Sequence, residues 1–314
     1  TAFGPAAASG LWTGRSSGAA AMTEPVMVGE GHAHIFMDGA DYHASVEAHR
    51  NGPDERRIRA HLAEYQQRGI SFVRDGGDHF GASFLARELA PEYGITYRTP
   101  GAALYKKGHY GRVAGEPFEN LREYASLVRE RKRQGADFIK IMTTGIMDFR
   151  TDHTLTSRAL SEDEVFEMVR IAHEEGFRVM SHTNGARSCE SAAAAGVDSL
   201  EHGNFQDEQS LRGLAECGTL WVPTVVTVKN LIGCGRYSDR ILERIWKRIG
   251  TQMRAARALG VPMALGSDAG ACMVGHGSGI LQEYQAFREI FPEDERLVPD
   301  LEEGQRRLEG FARE

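Results

Sequence analysis

From residue 26 onward, short apolar or β-branched segments alternate with longer amphipathic segments. The short segments have the length of strands and end in polar or glycine-rich residues, whereas the amphipathic segments have the length of helices. The predicted strands are residues 26–35, 70–76, 95–104, 137–143, 178–183, 198–203, 219–227 and 262–268. The predicted helices are residues 54–69, 80–92, 117–135, 161–176, 186–195, 207–217, 238–260 and 278–291.

Helix-end signals support this alternation. Ser161 and Glu164 form a capping-box start, and Gly135 and Gly176 stand where a residue following a helix belongs. Eight strands alternating with eight helices over about 250 residues predict an α/β fold of the (β/α)₈ TIM-barrel type. A doubly wound open sheet is the alternative, but no G-x-G-x-x-G motif follows the first strand, which weakens it.

The first residues lack this pattern. Ala, Gly and Ser supply 14 of residues 1–22, without a hydrophobic period. We therefore expect residues 1–25 to be a flexible leader and residues 26–314 to form the barrel domain, its last part (292–314) being a loop and one charged helix.

Composition narrows the function. The 314 residues are 41% hydrophobic, enough for a core, and the net charge of −7 comes without a basic stripe. The sequence therefore lacks the basic pattern that is typical of a nucleic-acid-binding protein. No apolar run reaches the roughly 18–20 residues that span a membrane. The four cysteines have neither metal-motif nor disulfide-framework spacing, so we expect reduced thiols in a cytoplasmic protein: Cys189, Cys217, Cys234 and Cys272.

Six ionisable side chains lie on the predicted strands, most of them at the carboxyl ends where barrels carry their chemistry. They are His32 and His34 on the first strand, Lys140 on the fourth, His182 on the fifth, His202 on the sixth and Asp268 on the eighth. Residues two apart on a strand share a face, so the imidazoles of His32 and His34 can reach one metal ion.

Each motif alone has an ordinary alternative. Two histidines near a loop can be unrelated, His182 and His202 can be core residues, and Asp268 can cap the next loop. Together, imidazoles and a carboxylate at the ends of parallel strands favour a divalent metal such as zinc, with an open position for water.

Lys140 lies in an otherwise apolar strand, where a buried cation is costly unless it is paired. It can extend to the barrel mouth or pair with Asp268. Alternatively it is carboxylated, because a neutral amine and CO₂ give a carbamate whose two oxygens can bridge two metal ions.

These segments resemble the amidohydrolase superfamily, in particular its imidazolonepropionase-like and prolidase-like branch. The matching motifs follow in order over roughly residues 26–290: His32-Ala33-His34, Phe138-Ile139-Lys140-Ile141, Ser181-His182-Thr183-Asn184, Leu200-Glu201-His202-Gly203 and Gly266-Ser267-Asp268-Ala269-Gly270.

The resemblance implies a metal-dependent hydrolase that cleaves a C–N amide bond in a small cyclic amide or a dipeptide-like substrate. It implies that His32, His34 and Asp268 bind one divalent ion, that His182 and His202 bind a second, and that carboxylated Lys140 bridges both. Zinc is the expected metal, and a hydroxide between the ions is the nucleophile. Asp268, Lys140 and His202 are the expected catalytic residues, with Asp268 passing the proton to the leaving amine.

Loop residues supply further candidates. His109 after the third strand and His276 after Asp268 are candidate substrate contacts, and Arg150 and Arg187 are candidate partners of a substrate carboxylate. The histidines are also compatible with ordinary loop residues, and charged loop residues such as the arginines are usually just solvated. We expect a small-molecule substrate with neither nucleic acid nor membrane as a partner, and homo-oligomer formation stays open.

Two departures keep alternatives open. Family members usually carry a small β-sandwich flanking the barrel, which we expect to be absent or incomplete here, so a truncated, non-catalytic metal-binding barrel is one alternative. A mononuclear imidazolone hydrolase or deaminase is the other. Deaminases of the superfamily place a glutamate three residues after the fifth-strand histidine, where this chain has Gly185.

Overall fold

The computed structural model describes residues 29–312. The expected leader, residues 1–25, lies outside the described residues, as do the first residues of the first predicted strand. No helix in the described range is both long and apolar enough to cross a membrane.

The strands are short, three to five residues each, and most are fully buried. They are β1 (Glu30–Ala33), β2 (Phe72–Asp75), β3 (Thr96–Arg98), β4 (Ala103–Lys106), β5 (Gly115–Phe118), β6 (Ile139–Met142), β7 (Val179–Thr183), β8 (Ser199–His202) and β9 (Leu220–Val222).

Helices follow most of the strands. They are α1 (Tyr42–Ala48), α2 (Glu55–Gln67), α3 (Ala82–Leu89), α4 (Leu121–Gln134), α5 (Glu162–Glu174), α6 (Ala186–Ala194), α7 (Glu208–Cys217), α8 (Val226–Lys229), α9 (Asp239–Leu259), α10 (Ser278–Ile290) and α11 (Leu297–Glu309), with a short 3₁₀ helix at Ala90–Tyr93. All eight predicted helices are present, the predicted capping box of Ser161 and Glu164 starts α5, and α11 is the predicted C-terminal helix.

All neighbouring strands are parallel. They form a three-stranded sheet, β1-β2-β3, and a six-stranded sheet, β5-β4-β6-β7-β8-β9. The register places Met142 opposite His182 and Thr183 opposite His202, so the chemistry-bearing strand ends lie side by side. The α/β class with parallel sheets is therefore confirmed.

The predicted strand at 95–104 is wrong as a single element. Residues 96–98 pair with β2, whereas residues 103–106 pair with β6 in the other sheet. Pro100, which lacks an N–H, and Gly101, at φ +74°, interrupt the strand between these two pairings. In addition, residues 115–118 form β5, and α4 begins only at Leu121, where the Asn120 side chain caps it.

The predicted strand at 219–227 also ends early. Pro223 cannot continue the backbone ladder, and Thr224 adopts a φ of 50°. The side-chain oxygens of Glu283 then accept hydrogen bonds from the amide N–H groups of Val225 and Val226 at 2.9 Å each, which favours the short helix α8.

The predicted strand at 262–268 is not a regular strand. Its backbone makes isolated parallel bridges, Trp221 with Met263 on one side and Ala33 with Ala269 on the other. The Gly31 N–H donates to the Leu265 carbonyl at 3.1 Å. The segment therefore connects the edge strands of the two sheets by backbone hydrogen bonds and brings Asp268 beside β1.

Candidate metal centre

The six predicted strand-end residues lie together at one end of the sheets. Five of them line a cavity of about 300 Å³: His34, Lys140, His182, His202 and Asp268. His32 is fully buried next to them. The structure thus brings together side chains that are up to 236 positions apart in the chain.

His32, His34 and Asp268 form the tightest group. The Nε2 atoms of both histidines lie 3.8 Å from the Asp268 Oδ1 atom. All three ligand atoms are within 4.8 Å of one another, so one metal ion can contact all of them.

A hydrogen bond orients each of three imidazoles through its Nδ1 atom. His32 Nδ1 contacts a carboxylate oxygen of Glu201 at 2.8 Å, and His34 Nδ1 contacts the carbonyl of Gly77 at 3.1 Å. His202 Nδ1 contacts the hydroxyl of Thr224 at 2.8 Å. A carboxylate or a carbonyl can only accept, so in His32 and His34 the proton is on Nδ1 and the Nε2 lone pair is free for a ligand.

Lys140 extends into this group from β6. Its Nζ atom lies 3.0 Å from His32 Nε2 and 3.2 Å from His34 Nε2, so the amine donates to both lone pairs. Burial lowers the pKa of the Lys140 amine to about 8, although the charge of Asp268 partly opposes this effect. A larger fraction of the amine is therefore neutral near neutral pH than for an ordinary lysine.

His182 and His202 lie beside each other, with ring centroids 4.6 Å apart, and His202 is also 5.1 Å from the His32 ring. His182 Nε2 contacts the Gly145 carbonyl at 3.3 Å, and Tyr110 packs against its ring at 5.1 Å. These two imidazoles therefore form a second pair, next to the group of His32, His34 and Asp268.

Burial keeps the imidazoles neutral. It lowers the pKa of His182 to about 3 and that of His32, His34 and His202 well below the ordinary value, and the nearby Lys140 acts in the same direction. Neutral imidazole is the form that binds metal ions.

Two of the site residues have left-handed backbone conformations, His202 at φ 65° and Asp268 at φ 60°. Such conformations are uncommon for residues other than glycine, and they concentrate at functional sites. The strain is compensated by backbone bonds such as that from the Asp268 N–H to the His32 carbonyl at 2.7 Å.

A buried ion pair behind His32 was missed by the sequence analysis. Glu201 contacts His32 Nδ1 with one carboxylate oxygen and Arg74 Nη2 with the other, both at 2.8 Å, and all three side chains are fully buried. The Arg74 guanidinium also packs 4.6 Å from the ring of Phe311. Glu201 is an ionisable residue within a predicted strand, as Lys140 is, and that was the signal that could have revealed it.

The two loop histidines that were predicted as substrate contacts, His109 and His276, do not line the cavity. His109 contacts the carbonyl of Arg158 at 3.2 Å. His276 is stacked on His61, and its ring nitrogens contact the Tyr65 hydroxyl at 3.0 Å and the Met37 carbonyl at 2.7 Å. It thus anchors the loop after β1.

The predicted arginines also lie outside the lining. Arg187 pairs with Glu162, and Arg150 lies 6.0 Å from the Tyr237 ring. Instead, the cavity is lined by residues that the sequence did not single out, including Arg236 and Tyr237 from the loop before α9 and Tyr110 from the loop after β4. Their proximity depends on long-range loop packing and has no local sequence signal.

Residues 30–290 match the family model described as "Amidohydrolase family". The chain belongs to the amidohydrolase family. The resemblance to this superfamily noted in the sequence is therefore confirmed.

Two curated relatives match part of this amidohydrolase chain. An uncharacterized protein of Mycobacterium tuberculosis is 28% identical over 180 residues, which cover 55% of this chain and 47% of that protein. An Aspergillus niger ochratoxinase is 26% identical over 206 residues, which cover 63% of this chain and 40% of that protein. The chain thus spans less than half of the length of these relatives.

Solved structures show the same fold. The crystal structure of the A. niger ochratoxinase superposes with a TM-score of 0.72 at 22% identity, covering 91% of this chain and 71% of that one. A Xaa-Pro dipeptidase with bound methionine in its active site gives 0.70 at 22% identity, covering 91% and 75%. At this identity the likeness concerns the fold of the amidohydrolase and leaves its substrate open.

Proposed function

We propose that this chain is a divalent-metal-dependent hydrolase of a C–N amide bond in a small substrate. Family membership supports amide hydrolysis, and one structural neighbour is described as a dipeptidase and another as a prolidase in complex with N-methylphosphonate-L-proline. The observation that carries the proposal is the orientation of His32 and His34, whose Nδ1 atoms are held by acceptors so that both Nε2 atoms converge beside Asp268.

The residues fit a metal ion. Zinc–nitrogen bonds of about 2.0–2.1 Å in a tetrahedral site separate two ligand atoms by roughly 3.4 Å, close to the 3.8 Å found here between imidazole nitrogen and carboxylate oxygen. His32, His34 and Asp268 would hold one ion, and His182 and His202 would hold a second. The borderline-soft imidazole set favours zinc over magnesium or calcium.

When bound, the metal would polarise the amide carbonyl and lower the pKa of water. Asp268 would accept the proton of the attacking water and deliver it to the nitrogen of the leaving amine as the C–N bond breaks. Burial raises the pKa of its carboxyl to about 6, so the group can both take up and release a proton near neutral pH.

Lys140 would join the two ligand sets as a carbamate. Its neutral amine adds to CO₂ and loses one proton, which replaces a buried cation by an anion with two oxygen donors. The lowered pKa of the amine and the short distances to His32 and His34 support this role.

A mononuclear site is the second candidate. Among the described residues, only His32, His34 and Asp268 form a compact three-ligand group. His182 Nε2 is at 3.3 Å from the Gly145 carbonyl and would have to turn toward the cavity to bind a metal ion. An unmodified Lys140 with one metal ion would correspond to this class.

The same proposal includes a closed eight-stranded barrel. The bridges of residues 263 and 269 to Trp221 and Ala33 support closure on one side of the two sheets. On the other side, the Asp137 N–H donates to the Thr99 carbonyl at 2.9 Å, next to the point where the chain passes from β3 to β4.

The test combines metal analysis with a hydrolysis screen. Apoprotein reconstituted with zinc and bicarbonate should bind two ions per chain and hydrolyse members of a panel of dipeptides, N-acyl amino acids and cyclic amides. A reproducible ratio of one, with Lys140 unmodified by mass spectrometry, would select the mononuclear candidate. Metal-loaded protein without hydrolysis of any panel member would contradict the proposed activity.

A further inference from the structure

Glu283 is a buried ionisable residue on α10 that lies outside the cavity lining. Its side chain is fully inaccessible to solvent. Its two oxygens accept hydrogen bonds from the N–H groups of Val225 and Val226, the residues at the start of α8, at 2.9 Å each. Burial of a carboxyl group is costly unless it is hydrogen-bonded, so these two contacts both compensate the burial of Glu283 and fix the start of α8.

Thr224 directly precedes these two residues and contacts a proposed metal ligand. Its hydroxyl lies 2.8 Å from Nδ1 of His202. The backbone of Thr224 has a φ of 50°, a left-handed conformation that is rare for a β-branched residue and persists only where neighbouring structure determines it. Because Glu283 fixes the two residues that follow, it holds Thr224 in the conformation that brings its hydroxyl to His202.

The helix that carries Glu283 is itself packed closely against the proposed metal centre. Gly279 lies one turn before Glu283, and a Cβ atom at this position would be 2.7 Å from the Ser267 hydroxyl. The backbone of α10 therefore lies directly on the segment that leads to Asp268. The Ser267 hydroxyl in turn donates to a carboxyl oxygen of Glu30 on β1 at 2.5 Å. Glu283 is thus an acceptor whose position is fixed relative to the proposed ligands.

The Thr224 hydroxyl differs from the groups that orient His32 and His34. A carboxylate or a carbonyl can only accept a hydrogen bond, whereas a hydroxyl can donate or accept. For His202 to bind a metal ion through Nε2, the proton must be on Nδ1 and the Thr224 hydroxyl must accept it. The position of this hydroxyl therefore affects both the orientation of the His202 ring and its tautomer.

We propose that Glu283 is a positioning residue for His202 and acts through the start of α8 and the Thr224 hydroxyl. This inference rests on the proposed function, in which His202 is a ligand of the second metal ion. Neither Glu283 nor Thr224 lines the cavity, so a substitution at either position changes the site without touching a substrate. The affinity for the second metal ion and the tautomer of His202 are the properties that depend on this series of contacts.

The experiment measures zinc affinity by competition with a chromophoric chelator, and the tautomer of His202 by NMR spectroscopy of the metal-free protein with isotope-labelled histidines. Glu283→Ala removes both acceptors and should lower the affinity for the second zinc ion by about 10-fold, while the affinity for the first ion stays unchanged. Glu283→Gln retains one acceptor and should give a smaller loss. In the NMR spectra, His202 should carry its proton on Nδ1 in the parent protein and become a mixture of tautomers in Glu283→Ala.

Glu289→Gln is the matched control. Glu289 is on the same helix and pairs with Lys229 at the other end of α8, but its side chain is exposed. Its substitution removes a contact between the same two helices without affecting Thr224, so zinc affinity and the tautomer of His202 should stay unchanged. A purely structural role of Glu283 would lower the unfolding free energy of Glu283→Ala and leave both readouts as in the parent protein, which would overturn the proposal.

Thr224→Val tests the same route from its other end, and it also serves if Glu283→Ala does not fold. Valine keeps the β-branched shape and removes the hydroxyl, so this variant should reproduce the loss of affinity for the second ion. Adding Glu283→Gln to it should lower that affinity no further, because both substitutions act on one contact. Additive losses would show that Glu283 acts by another route and would overturn the proposal.

The NMR comparison separates this inference from the proposed function. If the parent protein binds one zinc ion only, the second metal site of the proposed function fails. The tautomer of His202 then still decides the role of Glu283. A shift toward a mixture of tautomers in Glu283→Gln and Glu283→Ala supports that role, and spectra identical to those of the parent protein overturn it.

Discussion

Replacing Glu201 by glutamine tests whether the proposed metal centre depends on the buried ion pair behind it. Glu201 lies between His32 and Arg74, with 2.8 Å contacts to both, and it also accepts a hydrogen bond from the Ser199 hydroxyl at 2.6 Å. Glutamine keeps the shape of the side chain but removes the negative charge. The guanidinium of Arg74 then remains fully buried without a counter-ion.

The size of the expected loss of stability follows from the burial of this ion pair. Breaking a buried ion pair by removing one partner typically lowers the free energy of unfolding by about 3–5 kcal/mol. Glutamine can still accept one hydrogen bond, so we expect a loss near the lower bound, about 3 kcal/mol. Because glutamine holds the proton of His32 Nδ1 less strongly than a carboxylate, zinc affinity should also fall by about 10- to 100-fold.

The assay is urea unfolding of the metal-free protein, followed by competition for zinc with a chromophoric chelator. Glu208→Gln is the matched control, because Glu208 is also paired with an arginine, Arg212, but both side chains are exposed. That exposed pair should contribute no more than about 0.5 kcal/mol. The control should therefore retain both the unfolding free energy and the zinc affinity.

A double substitution separates the charge from the packing. Arg74→Met in the Glu201→Gln background removes the uncompensated charge and should recover part of the lost unfolding free energy. A loss below about 1 kcal/mol in Glu201→Gln, together with unchanged zinc affinity, would refute the reasoning that this ion pair supports His32.

Three further substitutions test other parts of the site. Lys140→Ala should be inactive and metal-poor. Acetate or formate should partly restore its activity by supplying the missing oxygens. Full activity and full metal content of this variant without added acid would exclude the carbamate. Asp268→Asn should lower kcat by about 10²–10⁴-fold while most of the metal remains bound, because an amide cannot transfer the proton. Wild-type-like turnover would refute the proton-transfer role of Asp268. Glu283→Gln tests a pH dependence. Burial raises the pKa of Glu283 from 4.5 to about 8, so this group takes up a proton on folding between these pH values, and its contribution to the unfolding free energy falls with rising pH. The variant should therefore gain stability relative to the wild type between pH 5 and 8, by up to about 1.4 kcal/mol per pH unit, and parallel curves would contradict this expectation.

The convergence of side chains at the strand ends could be predicted because it depends on a local rule. In parallel strands the carboxyl ends meet, and the alternation of faces determines which side chains converge there. This rule predicted the proximity of His34, Lys140, His182 and Asp268, even though residues 262–268 do not form a regular strand.

The remaining features depend on contacts that no local pattern encodes. His276 follows Asp268 closely in sequence, but its ring is held away from the cavity by Tyr65 and the Met37 carbonyl. Arg236 lines the cavity because the loop before α9 packs against Cys272, 36 positions further along the chain. In contrast, the break of the third predicted strand has a local cause in Pro100 and Gly101, and the sequence contained that signal.

The convergence of the proposed metal ligands requires support from several strands at once. His32 is oriented by Glu201 on β8, His34 by the Gly77 carbonyl after β2, and His202 by Thr224 after β9. Left-handed conformations such as those of His202 and Asp268 are unfavourable by about 1–3 kcal/mol each, so these two residues persist only because neighbouring elements determine their positions. The geometry of the site is therefore a property of the complete strand order, which explains why its supporting residues are as buried as the hydrophobic core.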